Sequence, residues 1–194
     1  LNHKAWQNFI LNENDSFKKE YEAFLREHDW WLSGYALYVA CKTKFEGKCW
    51  NKWPKSIIDR EPDEIEKIKW EQSSVYEFER FQQFLFFKQW FQLKKFANER
   101  GIQIFGDLPL YVSLDSSDVW TNQQLFLLDE KGIPSLVGGV PPDYFSEEGQ
   151  LWGNPVFNWA ELERTDFQWW IARIYFNLHL FDMVRIDHFR GLES

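Results

Sequence analysis

The chain has 194 residues, of which 44% are hydrophobic, and this is enough apolar material for one folded core. Lys and Arg total 22 against 30 Asp and Glu, so the net charge of -8 disfavours binding to nucleic acid or to an anionic membrane surface. No apolar run reaches the roughly 18 residues of a membrane span, and the N-terminus lacks the pattern of a secretion signal. We therefore expect a cytoplasmic protein with a neutral partner.

The two cysteines, Cys41 and Cys49, are too few for a disulfide framework and lie outside any metal-binding pattern. We expect both to be free thiols in a reducing compartment. The sequence shows no cluster of metal ligands and implies no cofactor. Aromatic residues make up 20% of the chain, and the favoured interpretation is a core filled with large rings. The alternative is that some exposed rings form flat binding platforms.

The first half of the chain has a helical pattern. Residues 14–45 are predicted to form two helices, the second of them capped by Asp29. Residues 47–70 contain two prolines and mixed charge, so we expect an irregular surface loop that leads to short helical turns. A long helix is predicted from residue 73 or 74 to Arg100, and Gly101 ends it.

The second half alternates between strand and helix patterns. IQIFGDLPLYV (102–112) is a short β-rich run, and the Pro/Gly/Asp-rich stretch that follows to about Asn158 is typical of a long functional loop. A final helix, capped by Thr165 or Asp166, leads into the strand candidate DMVRIDHF (182–189). This order of helix, strand, long loop, helix and strand predicts a parallel α/β architecture.

Both strand candidates carry a carboxylate near the C-terminal end, Asp107 in the first and Asp187 in the second, where α/β enzymes place their chemistry. Side chains alternate along a strand, so Arg185 and Asp187 point to the same side. An arginine within a few ångströms keeps a carboxylate ionised, as a nucleophile requires. The same spacing agrees with a structural Arg–Asp pair that holds the strand end, and both interpretations stay open at this point.

Five stretches resemble the signature blocks of the amylomaltase-type 4-α-glucanotransferases, in the order that the family has them. They are GDLPLYV (106–112), DSSDVW (115–120), GVPPDYFSEEGQLWGNP (139–155), WWIARI (169–174) and VRIDHFRG (184–191). Weaker similarity extends upstream, so the resemblance covers roughly residues 29–194. It implies an α/β fold, a partial (β/α)8 TIM barrel with large helical and loop insertions, and the transfer of α-1,4-glucan segments by a retaining double displacement.

The resemblance also implies roles for the residues of the two strand candidates. Asp187 corresponds to the catalytic nucleophile, Arg185 to the arginine two residues before it, and Asp107 to a carboxylate beside the donor sugar. His188 follows the nucleophile and faces the other way by alternation, so we expect it to have a structural, hydrogen-bonding role.

The PPDYF segment corresponds to a loop that closes over the active-site mouth, in which Asp143 and Tyr144 contact bound glucan. Trp152 corresponds to an aromatic residue close to that loop. A closing lid excludes water while it admits a sugar acceptor. The resemblance implies that the partners are maltooligosaccharides or a longer α-1,4-glucan. Nearby Glu147 and Glu148 are expected to be solvated loop residues, because nothing indicates the burial that raises a carboxyl pKa.

A complete (β/α)8 barrel takes about 250 residues, and this sequence offers two barrel strands. We expect residues 1–194 to be a single incomplete catalytic-barrel fragment. In it, residues 1–100 form a mostly helical insertion and residues 101–194 carry barrel strands with the active-site loop. The acid/base glutamate and a third carboxylate of the family are expected beyond Ser194, so the isolated chain is predicted to have negligible transferase activity.

Two alternative functions stay open. The first is an α-glucan hydrolase of the same clan of α-amylase-like barrels, which would use the same carboxylates. The GVPPDYF and GQLWGNP blocks favour the transferase, because they resemble that family's lid. A non-catalytic glucan-binding module built on a degenerate barrel is the other alternative. The joint presence of Asp107, Arg185 and Asp187 argues against a barrel that has lost its catalytic residues.

Overall fold

The structure of the chain is a computed structural model that describes residues 2–11, 15–142, 144 and 146–192, with Arg190 described by its backbone alone. The chain forms two compact units, Leu1–Gln92 and Leu93–Ser194. The first unit is helical, and the second contains the strands. Within the described residues, no helix combines the length and the apolarity needed to cross a membrane.

Helices account for most of the first unit. They are α1 (Asn2–Leu11), α2 (Asp15–Lys44), α3 (Lys55–Ile58), α4 (Pro62–Glu71) and α5 (Ser73–Asn98), with a 3-10 turn at Trp50–Lys52. The long helix predicted from residue 73 or 74 is confirmed as α5. Gly101 follows its end with a φ of +73°, a left-handed conformation that glycine adopts without strain.

Aromatic rings of α2 and α5 pack together in the core of the first unit. The ring centroid of Phe24 lies 5.6 Å from that of Phe84 and 5.4 Å from that of Phe87. Tyr21 lies 5.4 Å from Phe84, and all four side chains are buried. Such tilted and edge-on ring pairs contribute beyond the apolar area that they bury. The prediction that large rings fill the core is confirmed here.

The predicted helix start at Asp29 is wrong. α2 runs unbroken from Asp15 to Lys44, and the Asp29 carboxylate accepts a hydrogen bond from the Ser33 hydroxyl within the helix. A capping side chain needs free backbone N–H groups, and a continuous helix has already bonded them to carbonyls one turn back.

The prediction that residues 47–70 lie on the surface is confirmed only in part, because many of these residues are exposed but several of their large apolar side chains are buried. The side chain of Trp50 is fully buried, and those of Trp53 and Ile57 are buried as well. The Trp53 indole N–H donates to the Lys48 carbonyl at 3.0 Å. The prolines correctly indicate an irregular backbone, but burial of the Trp50, Trp53 and Ile57 side chains removes apolar area from water and stabilises their packing in the core.

The second unit contains four strands and three shorter helices after the end of α5 within the described residues. They are β1 (Phe105–Leu108), α6 (Ser117–Thr121), β2 (Val137–Val140), β3 (Gln150–Pro155), α7 (Trp159–Arg164), α8 (Gln168–Leu180) and β4 (Met183–Ile186), with 3-10 turns at Gln123–Leu125 and Phe189–Leu192. β1 pairs with β4 in parallel, and β2 pairs with β3 in antiparallel. The parallel pair, with α8 leading into β4, confirms the predicted α/β class.

The segment predicted as a long loop has regular structure of its own. β2 and β3 form a hairpin within it, and Gly139 of β2 lies so close to the partner strand that a Cβ atom would meet the Gln150 carbonyl oxygen at 2.5 Å. Glycine lowers the strand signal of a sequence, which explains why the hairpin is absent from the prediction.

The predicted cap of α8 is wrong as well. The Thr165 hydroxyl donates to the Glu161 carbonyl at 3.1 Å, so Thr165 closes the last turn of α7. Asp166 and Phe167 then both adopt positive φ angles, 51° and 54°. The start of α8 is set by this sharp turn between two helices, and its preceding residue, Phe167, makes no side-chain cap.

Phe157 lies at the centre of the core of the second unit and is 1% exposed. Its ring centroid lies 5.2 Å from that of Phe126 and 5.2 Å from that of Trp170 on α8. It also lies 6.0 Å from Tyr111, in the segment that follows β1. This core therefore links α8 to the segment that leaves the parallel strands.

Candidate active site

The two parallel strands start from one anchored point. The Asp182 carboxylate, just before β4, accepts from the Ile104 backbone N–H at 2.7 Å and from the Asn98 side-chain amide at 2.8 Å. These bonds, together with the nearby Lys94 ammonium, hold the pKa of the Asp182 carboxyl below its ordinary value. The anchor fixes the strand register, in which Asp107 lies opposite Arg185.

Arg185 binds Asp107 through a two-pronged hydrogen bond. Its Nε donates to Asp107 Oδ1 at 3.0 Å, and its Nη2 donates to Oδ2 at 2.7 Å. The same Nη2 lies 3.4 Å from Oδ1 of Asp187, which directly follows β4. The structure thus brings Asp107, Arg185 and Asp187 together, and it confirms that Arg185 and Asp187 share one side.

The charges in this cluster reinforce each other. The hydrogen bonds from Arg185 hold the pKa of the Asp107 carboxyl below its ordinary value, and those to Asp107 raise the pKa of the Arg185 guanidinium. The three side chains are 51% to 61% exposed within this chain. The arrangement can hold an ionised carboxylate in an orientation that is open to a ligand.

The turn after β4 places the imidazole of His188 beside the ring of Trp152. His188 adopts a positive φ of 55°, so the strand alternation used to predict its direction does not extend to it. Its ring meets the Trp152 ring edge to face, with 5.0 Å between centroids. Trp152 is 38% exposed, and its indole N–H donates to the Gln150 side chain at 2.9 Å. The predicted hydrogen-bonding role of His188 stays a prediction.

The remaining predicted residues belong to the segment between β2 and β3. Asp143 lies outside the described residues. The side chain of Tyr144 is fully exposed, so the structure does not bring it into the cluster around Asp187. Glu147 and Glu148 are exposed in a turn, in agreement with the prediction of solvated loop residues.

Two functional candidates are absent from the residues named by sequence reasoning. Tyr111 packs its ring 6.2 Å from that of Trp152, and Gly138 of β2 makes room for it, since a Cβ there would lie 2.9 Å from the Tyr111 ring. Arg173 of α8 donates to the backbone that follows β1. Both lie inside the signature blocks, and that membership is the signal by which they could have been found. Among the described residues, no three His, Cys, Asp or Glu side chains come together as a possible metal site.

The family model described as 4-alpha-glucanotransferase matches residues 1–194. The 4-alpha-glucanotransferase of Aquifex aeolicus (strain VF5) is 52% identical over 173 residues, which are 89% of this chain and 36% of the relative. That of Clostridium butyricum is 47% identical over 192 residues, 98% of this chain and 39% of the relative. Both identities lie far above what a shared fold alone requires.

Solved structures show the same likeness. The amylomaltase from Streptococcus agalactiae in complex with acarbose superimposes with a TM-score of 0.91 and 42% identity, covering 98% of this chain and 38% of that one. The chain thus spans 36% to 39% of the length of these relatives. On the family match along all its residues, the chain belongs to the 4-alpha-glucanotransferase family.

Proposed function

We propose that the full-length protein that contains this chain is a 4-α-glucanotransferase. It would transfer α-1,4-glucan segments between maltooligosaccharides, with Asp187 as the nucleophile. The observation that carries this proposal is the cluster of Asp107, Arg185 and Asp187 at the C-terminal ends of two parallel strands. Family membership supports the same reaction.

In the proposed barrel, β1 and β4 are neighbouring strands of a (β/α)8 fold, and residues 1–100 form a mostly helical insertion. The C-terminal ends of the barrel strands are where such enzymes carry their chemistry, and Asp107 and Asp187 both lie there. The likeness to the amylomaltase structure supports this placement.

The reaction would proceed in two displacements. In the first, an Asp187 oxygen bonds to the anomeric carbon of the donor, the glycosidic carbon–oxygen bond breaks, and the leaving oxygen takes a proton from a general acid. In the second, an acceptor hydroxyl attacks the same carbon and gives its proton to that same acid group, now acting as a base, while the Asp187–sugar bond breaks. The acid and a third carboxylate are expected from the family beyond Ser194.

Arg185 would keep the nucleophile ready for attack. Its guanidinium is held by two bonds to Asp107, and the Nη2 that makes one of them also lies 3.4 Å from Oδ1 of Asp187. This contact would fix the orientation of the Asp187 carboxylate toward the donor sugar. Asp107 would thus orient Arg185 and contact the donor sugar.

Trp152 would form part of the sugar-contacting surface. Its ring is partly exposed and contacts the rings of His188 and Tyr111. These two contacts would fix the orientation of the Trp152 ring before a ligand binds. Asp143 and Tyr144 would contact glucan from the segment between β2 and β3. The proposed ligand is therefore a maltooligosaccharide or a longer α-1,4-glucan.

The free thiols of Cys41 and Cys49 agree with a reducing compartment, and we propose a cytoplasmic location.

The test uses the full-length protein as wild type, Asp187→Asn and Asp63→Asn, incubated with maltotriose. Asp63 is an exposed aspartate in the first turn of α4 and serves as the matched control. We expect glucose and longer oligosaccharides from the wild type and the control, and no transfer from Asp187→Asn. Only shorter sugars would make the protein a hydrolase. Unchanged maltotriose with the wild type would favour a glucan-binding module.

A further inference from the structure

Three successive carbonyls follow Asp107, and each accepts a hydrogen bond from a residue far along the chain. The Leu108 carbonyl accepts from the backbone N–H of Asp187 at 3.1 Å. The Pro109 and Leu110 carbonyls accept from Nη2 and Nη1 of Arg173, at 2.6 and 3.0 Å. One side chain on α8 therefore holds the backbone segment on which the Asp187 amide is bound.

Arg173 is itself held in place by its neighbours. Its guanidinium carbon lies 5.3 Å from the Trp169 ring centroid and 5.1 Å from that of Trp170, so two indoles of the same helix contact the cation. Burial lowers the pKa of the Arg173 guanidinium, and the Asp118 carboxylate counteracts this shift. An arginine stays charged under such conditions and presents its N–H groups in a fixed planar fork.

The segment held by Arg173 contacts the candidate site at two further points. Leu110 is buried against the 3-10 turn that follows Asp187 and His188, where a Cβ on Gly191 would lie 2.1 Å from a Leu110 methyl carbon. The next residue, Tyr111, contacts the Trp152 ring. A displacement of residues 108–110 would therefore move both the turn of the nucleophile and the aromatic surface.

We propose that Arg173 is a positioning residue for Asp187. It touches neither the sugar nor the reacting atoms, and it acts through the backbone of Leu108, Pro109 and Leu110. This inference rests on the proposed function, because it assigns a role within that reaction. A small misplacement of a reacting group is costly in rate, while ligand binding by surrounding residues changes less.

The experiment compares Arg173→Ala and Arg173→Lys with Arg164→Ala in the full-length protein. Arg164 is an exposed arginine of α7 that binds Glu161 and serves as the control. We measure kcat and KM for maltotriose, and the melting temperature, with all assays well below each melting point. We expect Arg173→Ala to lower kcat by about 10²-fold with little change in KM. Arg173→Lys, a compact charge without the fork, should retain an intermediate kcat.

Chemical rescue separates positioning from general stability. Added guanidinium at millimolar concentration should restore part of the kcat of Arg173→Ala, because the indoles of Trp169 and Trp170 still offer a cation site. It should not restore Asp187→Asn. If Arg173→Ala does not fold, the kcat of Arg173→Lys decides the matter.

The outcomes distinguish the two proposals. An active wild type with an unchanged kcat in both Arg173 variants would overturn the positioning role and leave the proposed function intact. Equal losses of kcat in the Arg173 variants and in Arg164→Ala would also overturn it. A wild type without transfer activity would overturn the proposed function itself.

Discussion

Arg185 and Asp107 lie directly opposite each other on two parallel strands, and two hydrogen bonds of 3.0 and 2.7 Å join them. The Nη2 that makes the shorter of these bonds also lies 3.4 Å from Oδ1 of Asp187. Asp107 thus sets the direction in which Arg185 presents its charge to Asp187.

We first predict that Arg185→Lys is strongly impaired although it keeps the positive charge. A lysine offers a compact charge on a flexible stem and cannot make the two parallel bonds of a guanidinium to one carboxylate. We expect kcat/KM for maltotriose to fall on the order of 10²-fold in the full-length protein.

The matched control for this change is Arg164→Lys. Arg164 also makes two hydrogen bonds to one carboxylate, at 2.8 and 2.6 Å to Glu161, but on an exposed helix. Its activity should equal that of the wild type. Equal activity of Arg185→Lys and the wild type would show that the fork to Asp107 has no part in the reaction.

A second prediction concerns Asp182 and acid stability. The pKa of Asp182 is lowered in the folded protein by the bonds from Ile104 and Asn98 and by Lys94, whereas an unfolded aspartate has a pKa of about 3.9. A depressed folded pKa stabilises the protein fully above the unfolded value. This contribution is lost as the pH falls from about 3.9 through the folded value.

The measurement is the melting temperature of the wild type and Asp182→Asn between about pH 7 and pH 3, across the unfolded pKa of an aspartate. Asp182→Asn should be less stable at neutral pH, and the difference should shrink in acid. Other carboxylates titrate in both proteins, so the difference between the two curves isolates Asp182. Parallel curves would contradict the prediction.

The third prediction is that Gly106→Ala destabilises the parallel strands. A Cβ at Gly106 would lie 2.2 to 2.8 Å from three ring carbons of Phe181, so the ring must move. Overpacking of this kind costs typically about 1–3 kcal/mol. Chemical denaturation of the full-length protein measures the change.

A double-mutant cycle with Phe181→Ala tests the cause. If the Phe181 ring is the obstacle, the double variant should be less destabilised than the sum of the two single changes. Additive losses would show that the Phe181 ring is not the obstacle.

Fourth, the two cysteines should react at very different rates in the folded protein. Cys41 is fully buried, and burial raises the pKa of its thiol to about 12, whereas Cys49 is partly exposed. The thiolate is the reactive form, so Cys41 should carry a roughly 10³-fold smaller reactive fraction near neutral pH than an ordinary thiol.

Peptide mapping after a short iodoacetamide treatment checks this. Native protein should be modified at Cys49, and Cys41 should react only after unfolding. Cys49→Ser should therefore show almost no native modification. Rapid native modification of Cys41 would contradict its burial.

Several local predictions from the sequence are wrong for a shared reason. Asp29 and Thr165 have the chemistry of a helix cap, but the same side chains also bond within a helix or at its last turn. Trp50 is buried in a segment whose prolines indicate a loop. In each case the residue type permits two local structures, and packing against distant residues selects one.

The sequence by itself determined the long helix α5, the ring-filled core, the free cysteines and the shared side of Arg185 and Asp187, because each depends on composition or on short-range periodicity. Only the tertiary structure decided which residues from distant parts of the chain contact each other. Asp107 and Arg185 are 78 residues apart, and the register of two parallel strands joins them. The bonds from Arg173 to the backbone after β1 span 63 and 64 residues. Such contacts depend on how distant helices and strands pack, and a local sequence pattern contains no information on that packing.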